Sequence, residues 1–450
     1  MSNDSSHGII SFVYRPFEII GDALERKLGV FSVVIISLSA MLGSGLFVLP
    51  ALAMLDMGGP GIWLAYVVAA LVVLPGAISK SELATAMPVS GGDYIYIERT
   101  FGPMFGTISG LGLWASFLLK AAFALIGFKA YLWVFEDLIG ISINVEIAAL
   151  ALLVAIVGVN IMGVEKIKKV QAPIVTGAVG FLVIISIWAV LTMEMDWSRP
   201  TGPGAYGGGW EAVAGTAAFV FVSFSGVTKI AAIAEEIKRP SKNIPSGILL
   251  SLFISTLLYA GIAYIMMAAV DPASYVTASG AREDPIYVFA NAVGGKIVGY
   301  IAAGLAVITM TSMALAGIMA ASRYPFAMAR DNLLPEALEN VHSKFQTPHL
   351  AIVGTGLAMA VSILVLPVHD VAKLASGFQI MIFIIINLAV IVLRRASVAH
   401  SWYTPEWKSP LFPFFQIIGV IGGGTLVYLM GEEAIMGAIA CCLLGLIIYF

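Results

Sequence analysis

The sequence contains few charged residues and almost no cysteine. Charged side chains make up 11% of the 450 residues, whereas soluble domains average roughly 25%. The two cysteines, Cys441 and Cys442, are adjacent, which suits neither a disulfide framework nor a thiolate metal site. These absences exclude a soluble globular domain and a disulfide-rich or thiol-based redox scaffold.

Histidine is also scarce, and none falls in the middle of an apolar run. The five are His7, His342, His349, His369 and His400. With no HExxH pattern in the chain, these positions argue against haem and against an intramembrane metalloenzyme. The sequence also lacks a GxxxxGK[ST] phosphate loop, which argues against a primary pump. We therefore expect a non-enzymatic protein with no metal or other cofactor.

Long apolar runs dominate the chain instead. Hydrophobic residues account for 60% of it, and the mean hydropathy is +0.97. A membrane-spanning helix needs about 20 apolar residues, and the chain offers twelve candidates: residues 30–54, 61–80, 105–134, 142–162, 171–192, 212–234, 247–270, 296–321, 350–367, 372–393, 411–430 and 433–450. The pattern predicts an all-α polytopic membrane protein in a lipid bilayer.

Two of these runs are interrupted by glycine. Gly43-Ser44-Gly45 lies in the first run and Phe224-Ser225-Gly226 in the sixth. An unpaired backbone group costs several kcal/mol in hydrocarbon, so a helix breaks at mid-depth only where the freed groups are buried or bind something. The interruptions predict a binding site. The alternative is that the small residues only allow close helix packing, as GxxxG does.

Basic residues predict the orientation. If the N-terminus is cytoplasmic, 17 of the 24 lie on the inside, as the positive-inside rule requires. The polar first 28 residues resemble no cleavable signal peptide. From the basic residues we expect a cell-membrane protein with both termini cytoplasmic. The two interrupted helices then run in opposite directions, which is typical of an inverted repeat.

The predicted organisation has five parts. They are a cytoplasmic segment at residues 1–29, a first five-helix repeat at 30–192, an extracellular loop at 193–211, a second five-helix repeat at 212–395, and helices 11 and 12 at 396–450.

Several motifs occur in a fixed order along the chain. They are Gly43-Ser44-Gly45-Leu46-Phe47 with Pro50, Pro88-Val89-Ser90-Gly91-Gly92 with Tyr94 and Tyr96, Asn160 with Gly163-Val164, Phe224-Ser225-Gly226, Glu235-Glu236 with Pro240, Asn243-Ile244-Pro245, and Ser322-Arg323 with Ala329-Arg330-Asp331 and Pro335. Together they resemble the amino acid–polyamine–organocation permeases over nearly the whole chain. The resemblance implies a leucine-transporter-like fold of 5+5 helices, with helices 1 and 6 discontinuous, and transport of amino acids.

The resemblance also implies a substrate site. The backbone N–H groups at Ser44 and Gly45, with the Ser44 hydroxyl, would hold a carboxylate next to Gly43. Backbone carbonyls would hold an ammonium group. These are the carbonyl of Met41 at the first break and those of Phe221, Val222 and Ser225 at the second break, which also contains Gly226. Helix-end polarity predicts the same chemistry, since half-helix N-termini attract anions and unwound carbonyls hold cations.

Two positions depart from the family pattern. Many relatives carry an aromatic residue at Val222, so the smaller side chain implies a roomier pocket or a different gate. A number of relatives carry a carboxylate at Thr228, which puts an acid-sensing role there in doubt.

The sequence leaves the coupling ion open. Some proton-coupled relatives place a lysine on the fifth helix, but that position falls at or near Ala178 here. Sodium-coupled relatives would use carbonyls near Ser39 and Leu42 with hydroxyls of the eighth run, for which the candidates are Thr309, Thr311 and Ser312. The alternative for these hydroxyls is a bond back to the preceding helical turn.

Lys120 and Lys229 are the basic residues predicted to lie deep in the membrane. An unpaired ammonium costs at least ~2.5–3.5 kcal/mol there. Our hypothesis is that one of them carries a coupling proton or adds positive charge that favours acidic or small neutral substrates over cations. The alternatives are snorkelling to the interface and an ion pair, such as Lys229 with Glu235.

Further charges suggest an inner gate. Glu235 and Glu236 stand near Lys238 and Arg239, and Arg323 precedes Asp331. We expect ion pairs that hold a loop or bias one conformation, although exposed pairs are worth only ~0–1 kcal/mol.

The favoured function is a proton-coupled symporter or an exchanger of amino acids. A sodium-coupled amino acid transporter and a polyamine or organic-cation transporter are the alternatives. A channel lacks support because no repeated filter sequence is visible, and a non-transport subunit would not need paired breaks. The expected partners are an amino acid, a proton or sodium ion and lipid, with no nucleic acid. The sequence does not predict the oligomeric state.

Overall fold

Helices form nearly all of the computed structural model. The structure describes residues 28–88, 92–140, 142–163, 167–232, 234–278, 280–396, 400 and 402–450. Within these ranges the side chains of Ser44, residues 167–170, Thr228, Ala232 and Glu235 are outside the description. The predicted roles of Ser44, Thr228 and Glu235 side chains therefore stay predictions.

The structure contains eighteen α-helices and one short β-hairpin within the described residues. The helices are α1 (Val30–Met41), α2 (Ser44–Phe47), α3 (Leu49–Met57), α4 (Ile62–Ala86), α5 (Asp93–Phe101), α6 (Pro103–Tyr131), α7 (Trp133–Ile139), α8 (Val145–Ile161), α9 (Ile167–Thr192), α10 (Gly209–Val220), α11 (Val227–Ala232), α12 (Pro240–Ala269), α13 (Pro285–Ala321), α14 (Arg323–Arg330), α15 (His349–Val365), α16 (Val368–Arg395), α17 (Phe414–Leu429) and α18 (Glu432–Tyr449). Strands β1 (Val276–Thr277) and β2 (Gly280–Ala281) pair antiparallel in a loop.

Eight helical segments of the described chain are long and apolar enough to cross a membrane. They are α4, α6 with α7, α9, α10 with α11, α12, α13 with α14, α16 and α18, and the shorter apolar helices are α1, α8, α15 and α17. These segments follow the predicted ranges in order. The chain is a polytopic membrane protein, and the exact number of spans stays a prediction.

Both predicted interruptions are present. Helix α1 ends at Met41, Leu42 is extended with φ −76° and ψ 109°, and α2 begins at Ser44. Helix α10 ends at Val220, a 3-10 turn covers Phe221–Phe224, and α11 begins at Val227. The second break therefore starts a few residues before its glycine.

The two interrupted helices lie antiparallel. Helix α1 packs against α11, and α3 packs against α10. At one end, Leu28 forms a parallel bridge with Ile237; at the other, the Gly61 N–H donates to the Ala205 carbonyl at 2.9 Å. We call the half with α1 and α11 the α1 side, and the half with α2, α3 and α10 the α3 side.

Helix α6 occupies the centre of the bundle. It packs against α5, α13, α15, α16 and α18. A Cβ atom added to Gly317 on α13 would lie 2.5 Å from Ala121 Cβ on α6, so these helices touch closely, as small residues allow in membranes. This packing places Lys120, next to Ala121, beside the two breaks.

Candidate substrate and coupling site

One lysine joins the two interrupted helices. Lys120 lies midway along α6 and is only 6% exposed. Its Nζ donates to the Ala40 carbonyl at 2.8 Å and to Ser225 Oγ at 2.5 Å. Ala40 is in the last turn of α1, where carbonyls carry partial negative charge, and hydrogen bonds from an ammonium are stronger than neutral ones. Lys120 thus links the end of α1 to the second break.

At the first break, tyrosine hydroxyls bind the backbone. Tyr259 of α12 donates to the Met41 carbonyl at 2.7 Å, and Tyr66 of α4 donates to the Gly45 carbonyl at 2.8 Å. The Gly43 carbonyl accepts from the N–H groups of α2, at 3.0 Å and 3.2 Å. The first N–H groups of a helix have no partner within it, so those at the start of α2 are suited to an anionic group.

At the second break, a serine holds the backbone. The Val222 N–H donates to Ser376 Oγ at 3.0 Å, and this hydroxyl donates to the Phe219 carbonyl at 2.7 Å. Phe221 packs edge-to-face on Phe383, with ring centroids 5.4 Å apart. Helix α16 thereby fixes the 3-10 turn.

The two breaks touch each other. A Cβ atom at Gly226 would lie 2.5 Å from Met41 Cγ and 2.6 Å from the Ser37 carbonyl oxygen. A Cβ atom at Gly45 would lie 2.6 Å from Ser223 Oγ. The glycines are therefore needed for close approach, and the structure brings together the residues that the sequence predicted for the site.

A layer of buried tyrosines closes the α3 side. Tyr66, Tyr131 and Tyr259 are each 0% exposed. The Tyr66 and Tyr259 rings stack at 5.2 Å, and Tyr131 donates to the Phe47 carbonyl at 2.6 Å. The sequence analysis missed these residues. The available signal was a tyrosine inside an apolar run, because a buried phenol needs a hydrogen-bond partner.

A cavity lies on the α1 side of the breaks. It is small, with a volume of about 30 Å³, and Lys120, Ser225 and Gly226 form part of its wall. Lys229, which is half-buried, and Gln171 also line it. The described lining residues include these two lysines and no acidic residue.

The residues predicted as sodium ligands have different surroundings. Ser39 lines the cavity, whereas the Leu42 N–H closes the last turn of α1 at 2.8 Å. Thr311 Oγ1 donates to the carbonyl one turn earlier, at 2.8 Å, as the alternative reading expected. Thr309 and Ser312 are buried, and Thr309 Oγ1 has no hydrogen-bond partner within the described part of the chain.

The predicted ion pair between Arg323 and Asp331 is not formed in this structure. Asp331 accepts a hydrogen bond from Tyr94 at 2.6 Å, and Arg323 forms no ion pair with it, although both residues are described. Helix α14 places them eight residues apart, about 12 Å along its axis. The Glu236 carbonyl accepts from the Leu28 N–H at 3.0 Å, so this segment closes on the chain that precedes α1.

Lys80 is a further buried lysine, which the sequence analysis did not single out. Helix α4 continues to Ala86, and Lys80 pairs with Asp93 of α5 at 2.7 Å, both side chains being 0% exposed. Pairing is what makes such buried charges tolerable. Lys80 Nζ also lies 3.9 Å from the ring centroid of Phe383.

A buried carboxylate two residues later was also missed. Glu82 accepts two hydrogen bonds from Arg394 of α16, both at 2.7 Å, and one from Tyr403, also at 2.7 Å. Because the guanidinium bond is bidentate, it fixes geometry as well as charge. It ties α4 to α16 and to the loop before α17.

The comparison with known families agrees with this architecture. The sequence model described as "Amino acid permease" matches residues 28–449. The chain belongs to the amino acid permease family. The family and the relatives below are transporters rather than enzymes, and the predicted resemblance is confirmed.

Curated relatives cover nearly the full length of this permease. The branched-chain amino acid permease BcaP of Bacillus subtilis (strain 168) is 30% identical over 95% of this chain and 93% of its own. The methylthioribose transporter of the same strain is 25% identical, over 91% of this chain and 88% of its own. Cationic amino acid transporter 7, chloroplastic, of Arabidopsis thaliana is 27% identical, over 87% and 69% respectively.

Proposed function

We propose that this permease is a secondary active transporter that moves amino acids by alternating access, as a proton-coupled symporter or an exchanger. The observation that carries the proposal is the asymmetry around the breaks. Tyrosines close the α3 side, while a cavity on the α1 side reaches Lys120 and Ser225. A site that is closed on one side and open on the other suits one state of such a cycle.

The proposed topology has twelve spans in a 5+5 inverted repeat, with α1 and α10 beginning the two repeats. The antiparallel packing of the interrupted helices supports it. Both termini and the α1 side would be cytoplasmic in the cell membrane, as the basic residues predict. Glu235, Glu236, Arg323 and Asp331 would then lie near the inner gate.

The proposed substrate site lies between the breaks. The N-terminus of α2, at Ser44 and Gly45, would hold the carboxylate, and carbonyls at the end of α1 and in the second break would hold the ammonium group. The close approach of Gly45 to Ser223 supports this placement, because both poles would be within reach of one small zwitterion.

The proposed coupling residue is Lys120. As an ammonium it makes charge-assisted bonds to α1 and to the second break; loss of its proton would weaken both and loosen the link between them. Lys229 would add positive charge to the cavity and disfavour cationic substrates. A polyamine carrier is accordingly the weaker alternative, and sodium coupling through Ser39 and Thr309 is the other.

The test is uptake by proteoliposomes that contain the purified chain, with a panel of labelled amino acids and an inward pH gradient as the only driving force. Accumulation that a protonophore abolishes would support proton symport. Counterflow without accumulation would indicate exchange or sodium coupling, which an added sodium gradient separates. If neither assay shows transport of any amino acid, the proposed function is wrong.

A further inference from the structure

The stacked tyrosines Tyr66 and Tyr259 bind carbonyls of the interrupted helices. They come from α4 and α12, and their ring planes are 13° apart. The Tyr66 hydroxyl donates to the Gly45 carbonyl. The Tyr259 hydroxyl lies 2.7 Å from the Met41 carbonyl and 3.2 Å from the Ser223 carbonyl. Since a phenol has one proton, Tyr259 serves two acceptors with a single donor.

Successive carbonyls at the end of α1 therefore have different donors. The Ala40 carbonyl is bound by Lys120 Nζ, and the Met41 carbonyl is bound by the phenol of Tyr259. Carbonyls at a helix C-terminus attract cations. An incoming ammonium group would make a charge-assisted bond that is stronger than the phenol's, so the donor at Met41 is the replaceable one.

The Met41 carbonyl is also close to the cavity. Ala40, its neighbour along the chain, lines the cavity wall, and so does Ser225, two residues from Ser223. A small movement of these wall residues would let a ligand reach the Met41 carbonyl. If the Tyr259 hydroxyl then left Met41, it could still donate to the Ser223 carbonyl.

We propose that the Tyr259 hydroxyl occupies the position of the substrate's amino group in the empty transporter and is displaced from the Met41 carbonyl when the substrate binds. The inference rests on the proposed function and deepens it, because it assigns Tyr259 as a residue that determines how strongly binding depends on an amino group. In the empty transporter the Tyr259 hydroxyl gives the buried Met41 carbonyl a hydrogen-bond partner. A buried acceptor without a partner would be costly.

The test is a binding cycle with two ligands and two proteins. The ligands are an amino acid and its analogue without the amino group; for valine the analogue is isovalerate. The analogue does not bind the Met41 carbonyl, which therefore keeps Tyr259 in the wild-type protein and stays unpaired in Tyr259→Phe. The amino acid has to displace Tyr259 in the wild type, whereas in the variant its amino group binds a carbonyl that has no other partner. We expect the ratio of the analogue's Kd to the amino acid's Kd to rise at least about fivefold in Tyr259→Phe.

Tyr66→Phe is the matched control. It removes a hydroxyl from the same stacked pair, but one that binds Gly45 rather than an ammonium ligand, so the ratio should change less than about twofold. An unchanged ratio in Tyr259→Phe, or an equal change in both variants, would overturn the inference. Tyr259→Met offers a second way to remove the hydroxyl if the first variant does not purify as a single species.

The outcome also separates this inference from the function on which it rests. If the wild-type protein binds no amino acid of the panel, the proposed function fails, and the inference fails with it. If the wild type binds valine or another panel member and the ratio does not change, only the role of Tyr259 is wrong.

Discussion

The two sides of the helix breaks satisfy their backbone in different ways. On the α3 side, neutral hydroxyls of fully buried tyrosines bind the carbonyls of Gly45 and Phe47. On the α1 side, the ammonium of Lys120 binds the Ala40 carbonyl at the wall of an open cavity. Neutral donors need no compensating charge when buried, whereas an ammonium needs strong acceptors or water. The difference is between a half closed by buried tyrosines and a half that contains a cavity lined in part by polar side chains.

We expect substitutions on the two sides to affect different properties, namely folding stability and transport. Removing one partner from a buried hydrogen bond leaves the other unsatisfied, at a cost of about 1–3 kcal/mol and more for charged groups. On the closed side this cost would fall on stability. On the open side, water or a ligand replaces the lost partner, so we expect changes there to affect transport more than folding.

The largest effect is expected for Lys120→Ala, which removes the charged link on the open side. Transport should fall at least about tenfold, because two charge-assisted bonds of about 1.5–3 kcal/mol each are lost, and its dependence on pH should disappear. The measurement is uptake in proteoliposomes across a series of pH values.

Lys129→Ala in the last turn of α6 is the control for Lys120, since it removes the same charge from the end of the same helix. Transport and pH dependence should stay near wild type in that variant. Unchanged transport and pH profile in Lys120→Ala would remove Lys120 from the coupling mechanism.

An intermediate effect is expected where the breaks touch. In Gly226→Ala the new methyl group would meet the Ser37 carbonyl and the backbone of Met41. Overpacking of this kind costs about 1–3 kcal/mol, so the free energy of unfolding should fall and transport should fall with it. The measurements are thermal stability in detergent and uptake.

The matched variant for Gly226 is Gly261→Ala, because a Cβ atom there has no neighbour within 4 Å. It should retain both stability and uptake. If Gly226→Ala behaves in the same way as Gly261→Ala, the breaks are not in close contact in the membrane.

Sequence reasoning located the breaks because glycine in an apolar run is a local signal. Gly43, Gly45 and Gly226 were identified from composition and from the cost of a broken helix in hydrocarbon. Lys120 was identified because a charge at mid-run is rare. In both cases the unusual residue itself carries the information, and the structure places these residues together.

The partners of the breaks could not be predicted in the same way. Tyr66, Tyr259 and Ser376 are common residue types in apolar helices, and their acceptors lie up to 218 positions away along the chain. Only tertiary packing brings them to those carbonyls. The burial of Lys80 was missed for the same reason, because its partner Asp93 belongs to the next helix, α5.

The smallest effect is expected near the C-terminal end of α3, where Asp56 of α3 and His369 of α16 lie 2.9 Å apart and are 27% and 29% exposed. A half-exposed pair contributes about 0–1 kcal/mol, so Asp56→Asn should shift the balance between the two sides by no more than about fivefold. With Cys441 and Cys442 replaced by serine, a cysteine at Ala53, which is buried on α3, should react faster with a thiol reagent, and one at Ala320 in the cavity should react more slowly.

Asp196→Asn is the control for this last variant, because Asp196 bonds to Ser198 within its own loop and its loss should change neither labelling rate. Opposite shifts at Ala53 and Ala320 would mean that the two sides open in exchange for each other. Equal increases at both positions would instead mean that Asp56→Asn loosens the whole bundle, and the contrast between a closed and an open side would then be a matter of local packing rather than of alternating access.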